Sequence, residues 1–375
     1  MKEKRFSPIQ LMLAVFCGAL VALAAAALAV WLYVGSGGFT MLRGYHIITD
    51  KFVGEYTPAD VLDGTMDGMV TALGDRWSYY LTPEEYQQQN QRRANTYVGI
   101  GITVSYEREE GLLVRTVEPG GGAQEVGILP GELIVTAEGV SLEGDGKEQG
   151  IALISGEAGT DVVLEILGLD GTTRTVTARR KNMETHPVTY QLLPEKLGYI
   201  RVSNFYERSA DEVKKAVEDL KAQGATGLLF DMRNNPGGYL PELTAMLDFL
   251  LPEGPIITTH GKNAPTQVTT SDASCVSLPM GVLVNGNTYS AAELFAAQLR
   301  ESVGAKIVGE PTCGKGYSQQ SFSLPNGGAV GISTGVYTTG GGVSLVGVGI
   351  TPDRVLPLGE TGDGQLDAAV ALMLE

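Results

Sequence analysis

The chain has 375 residues, a formal net charge of −16 and an apolar content of 43%. Its length allows two or three domains with large cores, and its acidic balance argues against a nucleic-acid-binding protein, which needs a basic surface to meet phosphates. Three cysteines are too few for a disulfide framework.

The first predicted element is an apolar helix near the N-terminus. Residues 11–34 contain no charged side chain, and as a helix they would extend for roughly 36 Å, enough to cross a bilayer. Basic residues dominate the preceding tail, 1–8, which predicts a cytoplasmic N-terminus and an extracytoplasmic chain after the helix. The small residues 27–29 would also suit a signal-peptide cleavage site. We favour an uncleaved anchor over residues 9–34, because the apolar run continues past that site.

A helical segment is predicted over residues 39–93. Thr57, which precedes a proline, is typical of a helix N-cap, and apolar residues follow it at helical spacing. Thr82 and Glu85 have the spacing of a capping box, which predicts a second and more polar helix up to about residue 93.

A small mainly-β module is predicted over residues 95–181. Short β-type runs alternate there with glycine-rich turns, at 99–104, 112–117, 133–137, 161–167 and 172–178. The segment YVGIGI, which begins at Tyr97, has small residues that leave backbone N–H groups open to a ligand. It is not a dinucleotide-binding fingerprint, because no glycine or alanine follows at the sixth position.

An α/β core is predicted over residues 184–375, where strand-like apolar runs alternate with amphipathic helices. Ser209 and Glu212 have the pattern of a capping box at the start of the first of these helices. The ligands of such sheets bind beyond the carboxyl ends of the strands, where the turn at Gly237 and Gly238 is expected to lie.

Ser290 is expected at a similar strand end, between an apolar run at 282–284 and a helix that ends near Gly304. A hydroxyl at this position faces the free N–H groups of a helix N-terminus, which favour a developing negative charge. The alternative is that Ser290 is only the N-cap of this helix, and this stretch alone favours that interpretation.

The spacing around Ser290 carries a more specific signal. Glu293 follows it by three residues, Lys315 by twenty-five in a GE-x-T-x-GKG segment, and Gln319 follows the lysine by four. These residues resemble the signature of the C-terminal processing peptidases, the tail-specific serine proteases, over roughly residues 45–356. The resemblance implies a peptidase core of α/β (α+β) class that resembles the crotonase-like fold.

Two segments of the β module, 97–102 and 127–134, resemble parts of a PDZ domain. The resemblance implies an inserted domain that adds an extended peptide to a sheet edge and binds its terminal carboxylate with backbone N–H groups. The implied peptide-binding residues are Val98, Gly99, Ile100, Gly101 and Ile102.

The resemblance assigns Ser290 as the nucleophile, Lys315 as its base and Gln319 as the residue that orients the base, with Glu293 in support. A serine hydroxyl is a poor nucleophile without a base, and a lysine acts as one only when burial holds its amine neutral.

The same resemblance implies an oxyanion hole made of two backbone N–H groups. One belongs to Ala291, and the other to Gly237 or Gly238 in the DxRxNxGG turn. Asp231 and Arg233 are expected to brace that turn by pairing. The alternative is that this proline-glycine segment is a plain tight turn.

Two other chemistries are disfavoured. His46, His186 and His260 stand in no recognisable motif, so each is expected to be structural or exposed. Residues 309–315 fit a GxxxxGK phosphate loop, but Gly316 stands where a magnesium-binding serine or threonine is required.

The sequence thus predicts a single-pass membrane serine endopeptidase whose catalytic domain lies outside the cytoplasm. Its substrates would be proteins with free C-terminal tails, which it would cleave near their C-termini. The PDZ-like module would bind the tail or gate the site. We predict no cofactor, metal ion or nucleic-acid partner, and the oligomeric state, including a homo-oligomer, stays open. So does the pairing of Cys275 with Cys313. The alternatives are an inactive PDZ scaffold and an acyl-CoA hydratase-like enzyme, which the export signal disfavours.

Overall fold

The computed structural model describes residues 7–262, 264–357, 359 and 362–375, and only the backbone of Gln10. The chain divides into two compact units, residues 1–76 and 77–375. Of the predicted cytoplasmic tail, residues 1–6 lie outside the described residues. The division falls inside the predicted helical segment 39–93, whose second part belongs to the larger unit.

The first unit consists of two helices, α1 (Pro8–Lys51) and α2 (Pro58–Thr71). Within the described residues, Leu11–Lys51 is the stretch long and apolar enough to cross a membrane, with a mean hydropathy of 2.6 and its apolar window unburied. The helix continues beyond the predicted anchor, but it is interrupted at Gly35, where φ is 66° and ψ is 171°. Glycine adopts such angles readily, so the break comes directly after the apolar run.

The second unit contains the strands and the remaining helices of the described chain. The strands are β1 (Tyr79–Leu81), β2 (Thr96–Gly99), β3 (Ile102–Ser105), β4 (Leu112–Val117), β5 (Leu133–Ala137), β6 (Val140–Ser141), β7 (Asp161–Leu167), β8 (Thr173–Arg179), β9 (Lys181–Glu184), β10 (Val188–Leu192), β11 (Leu197–Val202), β12 (Gly227–Asp231), β13 (Gly254–Gly261), β14 (Gln267–Ser271), β15 (Met280–Val284), β16 (Lys306–Gly309), β17 (Tyr317–Ser323), β18 (Ala329–Thr339) and β19 (Arg354–Val355). The helices are α3 (Pro83–Arg93), α4 (Gly122–Glu125), α5 (Gly146–Ile154), α6 (Ser209–Ala222), α7 (Leu240–Leu250), α8 (Ala291–Val303) and α9 (Gly364–Leu374).

The central sheet has the strand order β10-β11-β12-β15-β16-β19. Its strands are parallel except for β10, which runs antiparallel to β11. Helices follow β11, β12 and β15 along the chain, which gives the alternation that the sequence predicts. The carboxyl ends of β12 and β15 therefore meet at one edge of the sheet, and the loops that follow them are neighbours.

Helices cover both faces of this sheet. The residues of β12 and β15 are buried throughout, as is typical of parallel strands between two helical layers. On one face Phe230 packs edge-on against Phe295 of α8, with ring centroids 5.2 Å apart. On the other face Leu229 and Leu283 pack in a cluster with Ala369 of α9. The carboxyl ends of β12 and β15, which lead into these loops, are thus held in place by helices packed on both faces of the sheet.

Of the N-caps predicted at Thr57, Thr82 and Ser209, the first two are confirmed and the third is wrong. Thr57 and Thr82 form capping boxes at the starts of α2 and α3. The capping box predicted at Ser209 does not form, because the N-cap of α6 is Arg208 and the Ser209 hydroxyl donates instead to Glu242 of α7, at 3.1 Å. A hydrogen bond to Glu242 on another helix has therefore replaced the predicted capping bond within the first turn of α6.

A second sheet combines β1, β13, β14, β17 and β18, with β18 paired to β1, β13 and β17. The strand β1 falls in a segment predicted to be helical. It forms because Tyr79, Tyr80 and Leu81 align with residues 329–331 of β18, about 250 positions later in the chain. No pattern in residues 39–93 predicts pairing with a strand so far away in the sequence.

The mainly-β module contains a six-stranded sheet of β3 to β8 and the helices α4 and α5. The strands predicted at 112–117, 133–137, 161–167 and 172–178 are confirmed to within a residue, but the predicted run 99–104 is interrupted at residues 100–101, between β2 and β3. The helix α5 is an element that the sequence patterns did not predict. The chain enters and leaves the module through β2 and β9, an antiparallel pair in which Thr96 aligns with Glu184 and Gly99 with Lys181. The module is therefore inserted into the second unit through a two-stranded ribbon.

Candidate active site

Ser290 lies directly before α8, on the loop that follows β15. Its φ of 61° and ψ of −126° belong to a region that side chains rarely adopt, at a cost on the order of 1–3 kcal/mol. Its backbone N–H donates to Glu293 Oε2 at 2.9 Å. The Thr288 hydroxyl donates to the carbonyl of Met232 at 2.8 Å, which ties the loop of the serine to the loop after β12.

Glu293 joins the segments that carry Ser290 and Lys315. Its side chain is fully buried, and its Oε1 accepts hydrogen bonds from the Thr312 hydroxyl at 2.5 Å and from the Gly314 N–H at 2.7 Å. Its Oε2 accepts from the N–H groups of Ser290 and Lys315, both at 2.9 Å. One carboxylate with four donors therefore holds the two segments together.

The amine of Lys315 is held by an amide and flanked by two aromatic rings. Its Nζ donates to Gln319 Oε1 at 2.8 Å, and Gln319 Nε2 donates to the carbonyl of Trp77. The Nζ lies 4.8 Å from the ring centroid of Trp77 and 5.8 Å from that of Tyr289. Trp77 and Tyr289 thus cover an amine that Gln319 orients.

The glycines beside Lys315 are required by close packing. Gly314 has a φ of 83°, which favours glycine. A Cβ at Gly316 would lie 2.5 Å from a methyl of Val346 and 2.8 Å from its backbone nitrogen. The two glycines therefore let residues 346–349 lie against the segment, which explains the GKG sequence by backbone approach.

Tyr337 contacts both halves of this arrangement. Its hydroxyl oxygen lies 3.1 Å from Ser290 Oγ and 2.6 Å from the carbonyl oxygen of Lys315. The side chain is 4% exposed, and burial raises the pKa of its phenol well above the ordinary value. The sequence interpretation missed Tyr337, because its position in a β-type run gives no signal that it points at the serine.

The glycine turn after β12 packs against the serine. A Cβ at Gly237 would lie 2.9 Å from both Ser290 Cβ and the backbone nitrogen of Ala291, so only a glycine allows this approach. The N–H of Gly237 already donates to Asn235 Oδ1 at 2.8 Å. Within the described part of the chain, the N–H groups of Gly238 and Ala291 make no such bond, and both residues line the groove described below.

A buried ion-pair network supports that turn from behind. Arg233 Nη2 lies 2.6 Å from Asp231 Oδ2, the pairing that the sequence predicts, and Arg233 Nη1 lies 2.7 Å from Asp363 Oδ1 at the start of α9. Burial opposes the charge of Arg233, but its bonds to both carboxylates outweigh burial and raise its pKa. The hydroxyl of Tyr199 donates to Asp231 at 2.6 Å, and burial together with this bond raises the pKa of Tyr199 to about 12.

These residues open onto one groove with a volume of about 1140 Å³. Ser290, Lys315, Gln319 and Gly238 all line it. Its walls come from α3, the glycine turn, β13 and β17, and they carry several tyrosines. A groove of this size accommodates several residues of an extended peptide.

The predicted peptide-binding loop of the β module divides into two parts. Val98 and Gly99 belong to β2 and pair with β9. Ile100 is buried in the module core, and Gly101 has a φ of 80°, so the turn between β2 and β3 consists of these two residues. Ile102 begins β3, which pairs with β4 and forms one edge of the module sheet.

The remaining candidates from the sequence are the histidines, the two cysteines outside the apolar helix and the GxxxxGK segment. His186 pairs with Glu212 and is exposed, whereas the exposed His260 lines the rim of the groove. Cys275 and Cys313 form no disulfide in the structure. The GxxxxGK segment is followed by the strand β17, whereas a phosphate loop opens a helix.

Comparisons with known proteins agree with this architecture. The profile of peptidase family S41 matches residues 196–356. A carboxyl-terminal-processing protease of Synechocystis is 31% identical over 299 residues, which cover 78% of this chain and 70% of the relative. Carboxy-terminal processing protease CtpA of Bacillus subtilis is 29% identical, covering 83% of this chain and 67% of the relative. Among solved structures, a photosystem II D1 C-terminal processing protease is 26% identical with a TM-score of 0.51, covering 92% of this chain and 95% of that one.

The fold and these similarities define a mixed α/β peptidase. The chain belongs to peptidase family S41, among the carboxyl-terminal processing serine proteases. It spans 66% of the length of a chloroplastic C-terminal processing peptidase of Tetradesmus obliquus and 59% of that of an Arabidopsis thaliana relative.

Proposed function

We propose that the protein is a membrane-anchored serine endopeptidase that cleaves protein substrates near their C-termini with a Ser290–Lys315 dyad. The observation that carries this proposal is the pair of bridges between the two segments. Glu293 binds the N–H groups of Ser290 and Lys315, and the Tyr337 hydroxyl contacts the serine oxygen and the lysine carbonyl. Such bridges fix the relative positions of a nucleophile and its base.

The proposed reaction begins with proton transfer from the Ser290 hydroxyl to the neutral amine of Lys315 as Oγ attacks the scissile carbonyl. The tetrahedral intermediate collapses, and the lysine returns the proton to the departing amine. Water then attacks the acyl-enzyme ester and loses a proton to Lys315. As the ester bond breaks, the lysine gives this proton to Ser290 Oγ, which restores the hydroxyl and the neutral amine and releases the new C-terminus. Gln319 holds the amine through its Oε1, and Trp77 holds Gln319 in turn.

We assign the oxyanion hole to the N–H groups of Gly238 and Ala291. Both line the groove beside Ser290, and neither is bonded within the described chain. Gly237 then has a different role. Its N–H already donates to Asn235 Oδ1, and its lack of a side chain lets the turn approach Ser290. Arg233 supports the turn through its ion pairs with Asp231 and with Asp363.

The central experiment measures cleavage by the full chain in detergent, using peptides with free C-terminal tails and mass spectrometry of the products. Ser290→Ala should abolish cleavage without lowering the melting temperature. Ser318→Ala is the matched control, because Ser318 lines the same groove but has no assigned part in the reaction. Activity retained by Ser290→Ala would refute the dyad, and an inactive native chain would favour the PDZ scaffold instead.

We further propose that residues 95–181 form a PDZ domain and that the core, 184–375, has a crotonase-like fold. Support comes from the antiparallel sheet with an open β3 edge and from the parallel strand–helix succession of the core. An extended substrate tail would pair with β3, and its carboxylate would bind at the turn of Ile100 and Gly101. Amidating the C-terminus of a substrate should weaken binding in the Ser290→Ala background, and a Gly101→Val substitution should remove that difference.

The membrane anchor is the remaining part of the proposal. The described helix over residues 11–51 is long and apolar enough to span a bilayer, and a break at Gly35 separates its apolar part from the rest. We place the N-terminus in the cytoplasm and the peptidase outside. Protease added to intact protoplasts should digest the larger unit, whereas resistance until lysis would reverse this topology. A mature chain that begins after residue 29 would indicate a cleaved signal peptide.

A further inference from the structure

The groove beside Ser290 has a charge opposite to that of the chain. The chain has a formal net charge of −16, yet the described side chains that line the groove include no aspartate or glutamate. They include the basic residues Arg93 and Lys262, and also His260; Lys315 lines the groove as well, but its amine is neutral in the proposed reaction. A cleft lined by one sign of charge attracts ligands of the other sign, so this groove favours an anionic segment of peptide.

Arg93 is the basic side chain most suited to bind such a segment. It ends α3 and is partly buried, and its Nη2 donates to the hydroxyl oxygens of Tyr79 and Ser321, both at 3.2 Å. Within the described chain it makes no salt bridge. Arg233 pairs with carboxylates, and the buried Arg180, which has no carboxylate partner, donates from all three of its nitrogen atoms to oxygen atoms of the protein. Among the described residues, the hydrogen-bond partners of the Arg93 side chain contact Nη2, so Nε and Nη1 retain donors for a ligand.

The position of Arg93 relative to the reaction centre follows from two neighbours. Ser321, which binds Arg93, lies two residues after Gln319 on the same face of β17, so the two side chains are roughly 7 Å apart along the strand. On the other wall, the guanidinium carbon lies 6.0 Å from the ring centroid of Tyr239, the residue after Gly238. Arg93 therefore stands about two residues of extended peptide away from the dyad.

We infer that Arg93 binds a carboxylate of the substrate peptide, two to four residues from the scissile bond, and thereby selects acidic or terminal segments. The inference rests on the proposed peptidase function and specifies its substrate class. A guanidinium binds a carboxylate through two parallel hydrogen bonds, and the half-buried site between Tyr79 and Tyr239 strengthens them. The carboxylate is either the C-terminus itself or an aspartate or glutamate side chain.

The test is a coupling experiment on binding, in the Ser290→Ala background so that no cleavage is required. The probes are rhodamine-labelled, alanine-rich peptides of three kinds: one with a free C-terminus, one amidated with a single internal glutamate, and one amidated without it. Their dissociation constants are measured by fluorescence anisotropy with Arg93 and with Arg93→Gln. Arg93 lies outside the module, so Arg93→Gln should leave binding to the module unchanged, and a change in the dissociation constant reports on the groove.

We expect Arg93→Gln to weaken binding of the matching carboxylate peptide about 10- to 100-fold and to leave the neutral peptide almost unchanged. Loss confined to the free-acid peptide identifies the C-terminus as the ligand, and loss confined to the glutamate peptide identifies a side chain. Arg92→Gln is the matched control, because Arg92 precedes Arg93 on α3, is exposed and does not line the groove. It should change none of the three constants.

Equal weakening of all three peptides by Arg93→Gln would show a structural defect and overturn the inference, as would no effect on any of them. Arg93→Lys separates charge from geometry, since lysine keeps the charge without the bidentate fork and should recover only part of the binding. Cleavage by the native chain is measured separately. If Arg93→Gln weakens binding of a carboxylate peptide but the native chain does not cleave, the peptidase proposal is rejected and the carboxylate site is retained. If the native chain cleaves but Arg93→Gln has no such effect, the carboxylate site is rejected and the peptidase proposal is retained.

Discussion

The hydroxyl oxygen of Tyr337 lies 3.1 Å from Ser290 Oγ and 2.6 Å from the carbonyl oxygen of Lys315. A phenol has one proton, and a carbonyl can only accept, so the shorter contact takes that proton. The serine hydroxyl can rotate, so its own proton points at the phenol oxygen in the resting state and turns to Lys315 in the proposed reaction. Tyr337 therefore ties the hydroxyl of Ser290, the proposed nucleophile, to the backbone of Lys315, the proposed base.

Tyr337→Phe should lower kcat about tenfold with little change in KM, because the hydroxyl contact positions Ser290 without touching the substrate. It should also destabilise the fold by about 1–2 kcal/mol, since the Lys315 carbonyl loses its donor. Cleavage kinetics and thermal unfolding measure the two effects. Tyr190→Phe is the control, because it removes a comparable hydrogen bond to Asp219 away from the groove. A variant with native kcat would contradict the positioning role.

Lys315→Ala should abolish cleavage while the chain still folds, because the Ser290 hydroxyl loses its base. Lys315→Arg should fail as well, since a guanidinium stays protonated at any usable pH. Loss of both Ser290 and Lys315 should lower the cleavage rate no more than loss of either one.

In the native chain the cleavage rate should rise with pH, because only the neutral amine of Lys315 accepts the proton. His260→Ala, on the groove rim, should retain cleavage, and an essential His260 with an active Lys315→Ala would replace the dyad with a Ser–His mechanism.

Glu293→Gln should destabilise the fold by about 3 kcal/mol and remove most activity. The carboxylate accepts four hydrogen bonds in a fully buried position, and an amide would place an NH₂ group against two of those donors. Glu301→Gln is the matched control on the same helix, because Glu301 accepts bonds from Thr339 and Gly341 but is exposed. Equal stability of the two variants, measured by thermal unfolding, would argue against Glu293 as the bridge.

Asp363→Asn should weaken the fold in a pH-dependent way. The bond from Arg233 holds the pKa of Asp363 below its ordinary value of 3.8. A lowered folded-state pKa contributes stability that is complete above the ordinary value and is lost as pH falls through the lowered one. The difference in unfolding free energy between the two proteins should be about 1 kcal/mol or less at pH 6, because the side chain is partly exposed, and should shrink below about pH 4. A difference that is constant down to pH 2 would exclude the ion pair as its source.

The sequence predicted those features that depend on neighbours along the chain. Most strands of the β module, the alternating core, the helix start at Thr57 and the capping box at Thr82 are local patterns, so they could be predicted from propensity and spacing. The family membership followed from the spacing of Ser290, Glu293 and Lys315. The error at Ser209 arose because a glutamate on another helix, Glu242, bound the hydroxyl that local geometry would have used as a cap.

The sequence by itself therefore determined which residues could carry the chemistry, and only the tertiary structure decided what holds them. Gln319 binds the carbonyl of Trp77, 242 positions earlier, and Tyr337 reaches Ser290 across 47 positions. Arg93 contacts Ser321 across 228 positions. Such contacts exist because sheet pairing and buried packing bring distant segments together. The patterns of one sequence encode which face of an element is buried, but not which distant partner will lie against it.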